Sequence, residues 1–116
     1  MQHTKELSDF CAGIALADLP GEVVRKARLC VLDFLASVYG SLELEAVTRV
    51  VDWVRAQGGP PAATVLGCGF RTGMRDAAFL NGVTAEAIEA QDGLRFGGNH
   101  PGVAVIPAAL AVSEER

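Results

Sequence analysis

Basic runs, long apolar runs and paired cysteines are all missing from this sequence, and each absence removes a class of protein. No run of Lys or Arg exceeds two residues and the formal net charge is −4. Nucleic acid is therefore not an expected partner, because binding a phosphate backbone needs a concentrated positive face. No apolar stretch reaches the roughly 20 residues of a membrane-spanning helix. The first ten residues lack the basic-then-apolar order of a secretory leader, and no membrane partner is expected either. The three cysteines, Cys11, Cys30 and Cys68, are odd in number and far apart, which argues against a disulfide framework or a CxxC metal site. They read as reduced thiols in a cytoplasmic protein, with Cys11 and Cys30 packed in apolar helical surroundings. Aromatics are scarce, at 6% of residues. The apolar half of the chain is mostly Ala, Val and Leu, which suits close helix packing.

What is present reads as a mainly α chain, with all of residues 1–116 in one helical domain. Leu7, Phe10, Cys11, Ile14 and Ala15 recur at helical spacing and predict a short helix over residues 4–17. Pro20 suits the first position of a second helix. Its stripe is Val23, Val24, Ala27, Val31, Phe34, Leu35 and Val38, with Gly40 as its stop. A third helix is expected over 43–57, with Leu44, Val47, Val50, Val51 and Val54 on its inner face. The run Gly58-Gly59-Pro60-Pro61 ends it. Residues 62–71 are short, β-prone and punctuated by glycine, and predict a small hairpin. A fourth helix spans about 74–89, its apolar side made of Ala77, Ala78, Val83 or Thr84, Ala85 and Ile88. Asn81-Gly82 lies inside it. Gly there costs about 1 kcal/mol relative to Ala, so a close helix crossing is the expected reason for it. Pro101 opens a last helical stretch, 103–115.

Between the last two helices lies Glu-Ala-Gln-Asp-Gly-Leu-Arg-Phe-Gly-Gly-Asn-His-Pro-Gly, residues 89–102. It concentrates an Asp, an Arg, an Asn and a His in a glycine-rich loop, a common place for function. His100 precedes a proline, which pushes it out of the α region and towards the cap of the next helix. A helix N-terminus favours anions and disfavours a charged imidazole. His100 is thus expected to be neutral near pH 7 and able to accept a proton or to hydrogen-bond a carboxylate. Asp92 supplies a second acid/base group and Arg95 an anion clamp. The alternative is a capped turn in which His100 simply hydrogen-bonds backbone. The glycines form neither a GxGxxG nor a P-loop pattern, no Ser/His/Asp triad is supported, and His3 stands outside any constellation.

The segments LADLPGEVVRKARLCVLDFLAS, GGPPAATVLG, RDAAFLNGVTAEAIEAQDG and NHPGVAVIPAALAVSE follow one another in this order. Together they resemble the start of MmgE/PrpD-family proteins, which include 2-methylcitrate dehydratase, cis-aconitate decarboxylase and iminodisuccinate epimerase. The resemblance implies a large helical domain, of which this chain is the N-terminal part, and a smaller α/β lid. It further implies a homodimer, an active site between domains without metal or organic cofactor, and small di- or tricarboxylate substrates. In the family, an Asp-x-Asp-Asp cluster followed by a hydroxyl residue precedes a His-Pro. Here Glu89, Gln91 and Asp92 fall on the acidic positions, Gly93 on the hydroxyl position and His100 on the histidine. The departures at Glu89, Gln91 and Gly93 count against the decarboxylase among these activities. Carried over as catalytic are Asp92 and His100. Glu89 comes with them as a substrate-binding position, joined by Arg95 and Asn99 of the same loop. Family members are several times longer, so the lid and further His and Lys residues would lie outside this sequence. The chain is then expected to be a fragment, a truncated product or one polypeptide of a split enzyme: part of a dehydratase-type lyase or an epimerase. The other expectation is a catalytically incomplete helical module for assembly or dimerisation.

Overall fold

The structure, a computed structural model, describes residues 2–115. Among these, α1 (Gln2–Gly13), a single 3-10 turn (Leu16–Asp18), α2 (Gly21–Ser41) and α3 (Glu45–Gln57) precede a hairpin of β1 (Ala63–Val65) and β2 (Phe70–Thr72). Helices α4 (Met74–Glu86) and α5 (Pro101–Glu115) complete the order. The chain is mainly α with a small antiparallel hairpin, registered Ala63 to Thr72 and Val65 to Phe70. None of the described helices is long and apolar enough to cross a membrane.

Helix α4 is the hub, packed against α2, α3, α5 and the hairpin. On one side Leu80 and Ala77 meet Val47, Val51 and Val54 of α3, Ala63 and Val65 of β1, and Ala111 of α5. On the other, Ala85 joins Phe34 and Val38 of α2, with Val103, Ile106 and Leu110 of α5 packed alongside. Leu80 is wholly buried, a position worth about 1.5–3 kcal/mol in removal from water alone.

The crossing of α4 and α5 explains Gly82. A Cβ there would stand 2.8 Å from the Val103 carbonyl oxygen and 3.7 Å from the Pro107 ring. Pro107 lies inside α5 and has no N–H, so the carbonyl four residues back, that of Val103, loses its helical partner. That freed carbonyl faces the bare backbone of Gly82, where a Cα–H···O contact is the available compensation.

The hairpin is held by two side chains from the helices. Asn81 of α4 donates from Nδ2 to the Thr64 carbonyl at 3.0 Å and accepts the Leu66 N–H at 2.9 Å. Its amide thus pairs with the outer edge of β1 as a neighbouring strand would. Glu114 of α5 accepts from the Thr64 N–H at 3.1 Å, the Thr64 hydroxyl at 2.6 Å and Arg71 at 2.9 Å. An edge that would otherwise be open to another chain is thereby closed. The Thr64 hydroxyl bond, with the Thr64 N–H and the Arg71 guanidinium, holds the Glu114 carboxyl below its ordinary range against a smaller opposing effect of burial.

Several boundaries and faces differ from expectation. The first helix covers Gln2–Gly13 and the chain then makes the 3-10 turn, whose Asp18 carboxylate takes the Ala15 N–H at 2.9 Å. No residue of α1 is buried, so Leu7, Phe10 and Cys11 lie exposed and Cys11 is not a packing residue here. Helix α2 runs through Gly40, which packs beside the Ile88 side chain rather than capping the helix. Of its stripe Phe34 and Val38 are buried, while Val23 and Ala27 are exposed. Helix α3 starts at Glu45, because the chain turns through residues 42–44 with Leu44 extended. Burial raises the Cys68 thiol above its usual range, with Arg55 opposing, which leaves it a poor nucleophile.

Replacing Gly82 by Ala should destabilise the protein by about 1–3 kcal/mol through overpacking, although helix propensity alone predicts stabilisation. Denaturant unfolding decides the sign. A lowered folded-state pKa for Glu114 means that its contribution is full above the ordinary carboxylate range and lost as pH falls through the folded value. The midpoint difference between wild type and Glu114→Ala should therefore be largest near neutrality and shrink in acid; a pH-independent difference counts against the network.

Candidate functional site

Helix α4 stops at Glu86, three residues short of the expected end. Ala87 still has helical dihedrals, but Glu89 has φ 52°, a left-handed conformation that costs a side-chain-bearing residue energy. The chain leaves the helix axis there, with the Glu89 N–H bonded to the Glu86 carbonyl at 2.9 Å. Glu89 is therefore exposed at the exit from α4 and is not the last residue of an acidic helix face.

The loop then folds on itself. Leu94 and Asn99 form an isolated antiparallel bridge, the Leu94 N–H donating to the Asn99 carbonyl at 2.9 Å. The Leu94 carbonyl in turn accepts from the Gly97 and Gly98 N–H groups at 3.0 and 2.8 Å. Arg95 and Phe96 form the exposed tip of this turn. Asn99 contributes its backbone to the bridge and brings the chain back to the start of α5.

At the base of the turn, Asp92 is bonded twice. Its main-chain carbonyl lies 2.6 Å from His100 Nδ1, and its Oδ1 accepts the Gly102 N–H at 3.0 Å. Pro101 has no N–H, so that of Gly102 is the first donor of α5. The helix start thus holds a carboxylate from within the chain, in the position an N-cap oxygen occupies. A Cβ on Gly102 would stand 2.5 Å from Asp92 Oδ1 and 3.1 Å from its Cγ, so a side chain there would displace the carboxylate. A carbonyl oxygen only accepts, so Nδ1 of His100 carries the proton. In the neutral ring Nε2 is then left as a bare acceptor, and the histidine is exposed.

Asp92, His100 and Gly102 are the unit that the structure brings together. Arg95 and Glu89 stand outside it. Beside the unit, an open groove of about 520 Å³ runs along α2, lined by Lys26, Cys30 and Asp33 with Asp92 at one end. Its lining carries two carboxylates and one ammonium. No cluster of three His, Cys, Asp or Glu side chains suited to a metal ion occurs among the described residues. Gln91 Oε1 is buried without a hydrogen-bond partner.

Gly102, Asn81 and Glu114 were not legible in the sequence as anchoring residues. Glycine in the first turn of a helix is common enough to pass unnoticed, so Gly102 carried no local signal. Nothing local marked Asn81 or Glu114, whose hydrogen-bond partners lie 15 to 50 residues away in the chain.

A helical stack built on one small-residue hub, ending in a His-Pro turn anchored by an acid, places the chain among helical domains that carry a polar loop at one end. More specifically, residues 5–116 match the MmgE/PrpD N-terminal domain, and the chain belongs to that family. It is similar to cis-aconitate decarboxylase of Aspergillus terreus, with 27% identity over 111 residues. The decarboxylase of Aspergillus terreus strain NIH 2624 / FGSC A1156 gives the same identity over the same length. The matched stretch is 96% of this chain and 23% of each relative, so the chain spans under a quarter of the curated relatives' length.

An unpartnered buried acceptor costs about 1–3 kcal/mol. Gln91→Leu should thus raise unfolding stability by about 1 kcal/mol, measured by urea denaturation. A loss of stability would contradict an unpartnered Gln91 amide.

Proposed function

We propose that this chain is the N-terminal portion of a cofactor-independent lyase of the MmgE/PrpD type, acting on small di- or tricarboxylates by proton transfer beside a carboxylate. The observation that carries this reading is the Asp92 carbonyl on His100 Nδ1, which leaves Nε2 as an exposed base. Family membership and the similarity to a cis-aconitate decarboxylase support the substrate class.

The chemistry asks for few parts. A base takes a carbon-bound proton next to a carboxylate, and hydrogen-bond donors hold the charge that moves onto the carboxylate oxygens. In a dehydration, the neighbouring hydroxyl then departs with a proton as water; in an epimerisation, a proton returns to the opposite face. His100 handles the proton, with Nε2 the accepting atom, and Asp92 acts on it through the bond to Nδ1. Arg95, exposed at the loop tip, is the positive charge available to draw a substrate carboxylate to the loop, while Asn99 and Glu89 are assigned to substrate binding on the family resemblance alone. The groove beside Asp92 holds more negative than positive charge, so the anion clamp is assigned to Arg95. Three free cysteines fit a cytoplasmic setting.

A second, compatible reading is an assembly role. Leu7, Phe10 and Leu16, together with Val23, Leu29 and Leu32 of α2, are exposed. Those on α2 lie along one helix, and exposed apolar surface of this kind can serve as a contact site; the occupant proposed here is a second copy of the chain. Sedimentation of the purified protein checks it: a dimer is expected, and a monomer at high concentration overturns it.

In an active full-length relative, replacing the histidine at the His100 position by Ala should lower turnover of a citrate-like acid by at least about a hundredfold. An unchanged rate would sink the assignment of His100 as the base.

A further inference from the structure

We infer that Asp92 and Gly102 are the positioning residues of His100: together they fix which ring nitrogen carries the proton and therefore which one is free to accept one. The inference rests on the reading of His100 as the base, and it adds a residue, Gly102, to that site. The geometry is a two-point clamp. Asp92 holds the residue just before Pro101 through its carbonyl, at 2.6 Å from Nδ1. It holds the residue just after Pro101 through its carboxylate, at 3.0 Å from the Gly102 nitrogen. The proline between them has its φ fixed by its ring. Residues 100–102 are thus tied at both ends to a single residue across a rigid link. The orientation of the Asp92 carbonyl, set by the anchored carboxylate, dictates the orientation of the imidazole.

The consequence is chemical. A free neutral imidazole prefers its proton on Nε2, the opposite of what a base acting through Nε2 requires. The Asp92 carbonyl reverses that preference, as second-site hydrogen bonds do for histidines whose other nitrogen does the work. Gly102 makes the arrangement possible, because any Cβ at this position would occupy the space of Asp92 Oδ1 at 2.5 Å. Pushing the carboxylate away releases its hold on the helix start and frees the carbonyl to turn.

The test uses nitrogen-15 NMR of the His100 ring in the intact chain at alkaline pH, without substrate. Wild type should show the Nδ1–H form. Asp92→Asn keeps both an amide oxygen for Gly102 and the main-chain carbonyl, and should preserve it. Asp92→Ala and Gly102→Ala should each return His100 to a majority Nε2–H form. The clamp is refuted by an Nε2–H majority in wild type, by a preserved Nδ1–H form in folded Asp92→Ala, or by its loss in folded Asp92→Asn. Should either alanine variant fail to fold, the wild-type and Asp92→Asn spectra still decide. The readout needs no turnover, so the clamp can fail, as by a preserved Nδ1–H form in folded Asp92→Ala, while His100 remains the base. Equally, the turnover test can fail while the clamp stands.

Discussion

Backbone meets backbone where α4 crosses α5, and the rest of the structure is arranged around that contact. Gly82 removes the side chain that would keep the helices apart, and Pro107 leaves the Val103 carbonyl unpaired and facing it. Because the two axes approach so closely, small residues such as Ala77, Ala85 and Ala111 suffice to fill the interior. The crossing also fixes the distance between the end of α4 and the start of α5. The intervening loop must therefore reverse direction within a short span. It does so through a left-handed Glu89 and a turn closed by the Leu94–Asn99 bridge.

The same two helices organise the hairpin and the candidate site at opposite ends. At one end, Asn81 and Glu114 reach out and satisfy the exposed edge of β1. At the other, the first N–H of α5 is satisfied by Asp92. Each is a case of an unpaired backbone group finding a side chain in place of water. At the loop, satisfying the helix end has a second effect, since the residue that does it also presents its carbonyl to the imidazole. One residue thus caps the helix and, in the proposed function, orients the base. The hydrogen bonds are those of the capped-turn alternative, with His100 on a backbone carbonyl, and the proposed function builds on them.

Periodicity revealed the helices because most of the apolar side chains of α3 and α4 do face the core. It misjudged α1 and the first half of α2, where the same apolar spacing lies on exposed surface; spacing records amphipathicity, not what covers the face. The position of Gly82 was legible because glycine in mid-helix has a known cost that only close packing explains. Gly40 was misread because near a helix end the same residue also signals a stop. Around the site, Pro101 announced the helix start and drew attention to His100. The partner of that helix start was not legible, since a hydrogen bond from residue 102 back to residue 92 depends on how the loop folds. The end of α4 was hidden too, because Glu89 adopts a conformation for which the sequence would ordinarily place Gly or Asn. The order of four motifs carried the family, which the match over residues 5–116 established.

In the proposed function, Nε2 of His100, held free by Asp92, receives a proton from a carboxylate-bearing substrate. A crystal structure of an assembled, full-length relative with a citrate-like acid bound tests it most directly. The predicted result places a hydrogen-bearing carbon of the acid against the corresponding Nε2 within proton-transfer reach, about 3 Å, with the Asp carbonyl still on Nδ1. An acid bound elsewhere, with that histidine turned to solvent, would contradict it.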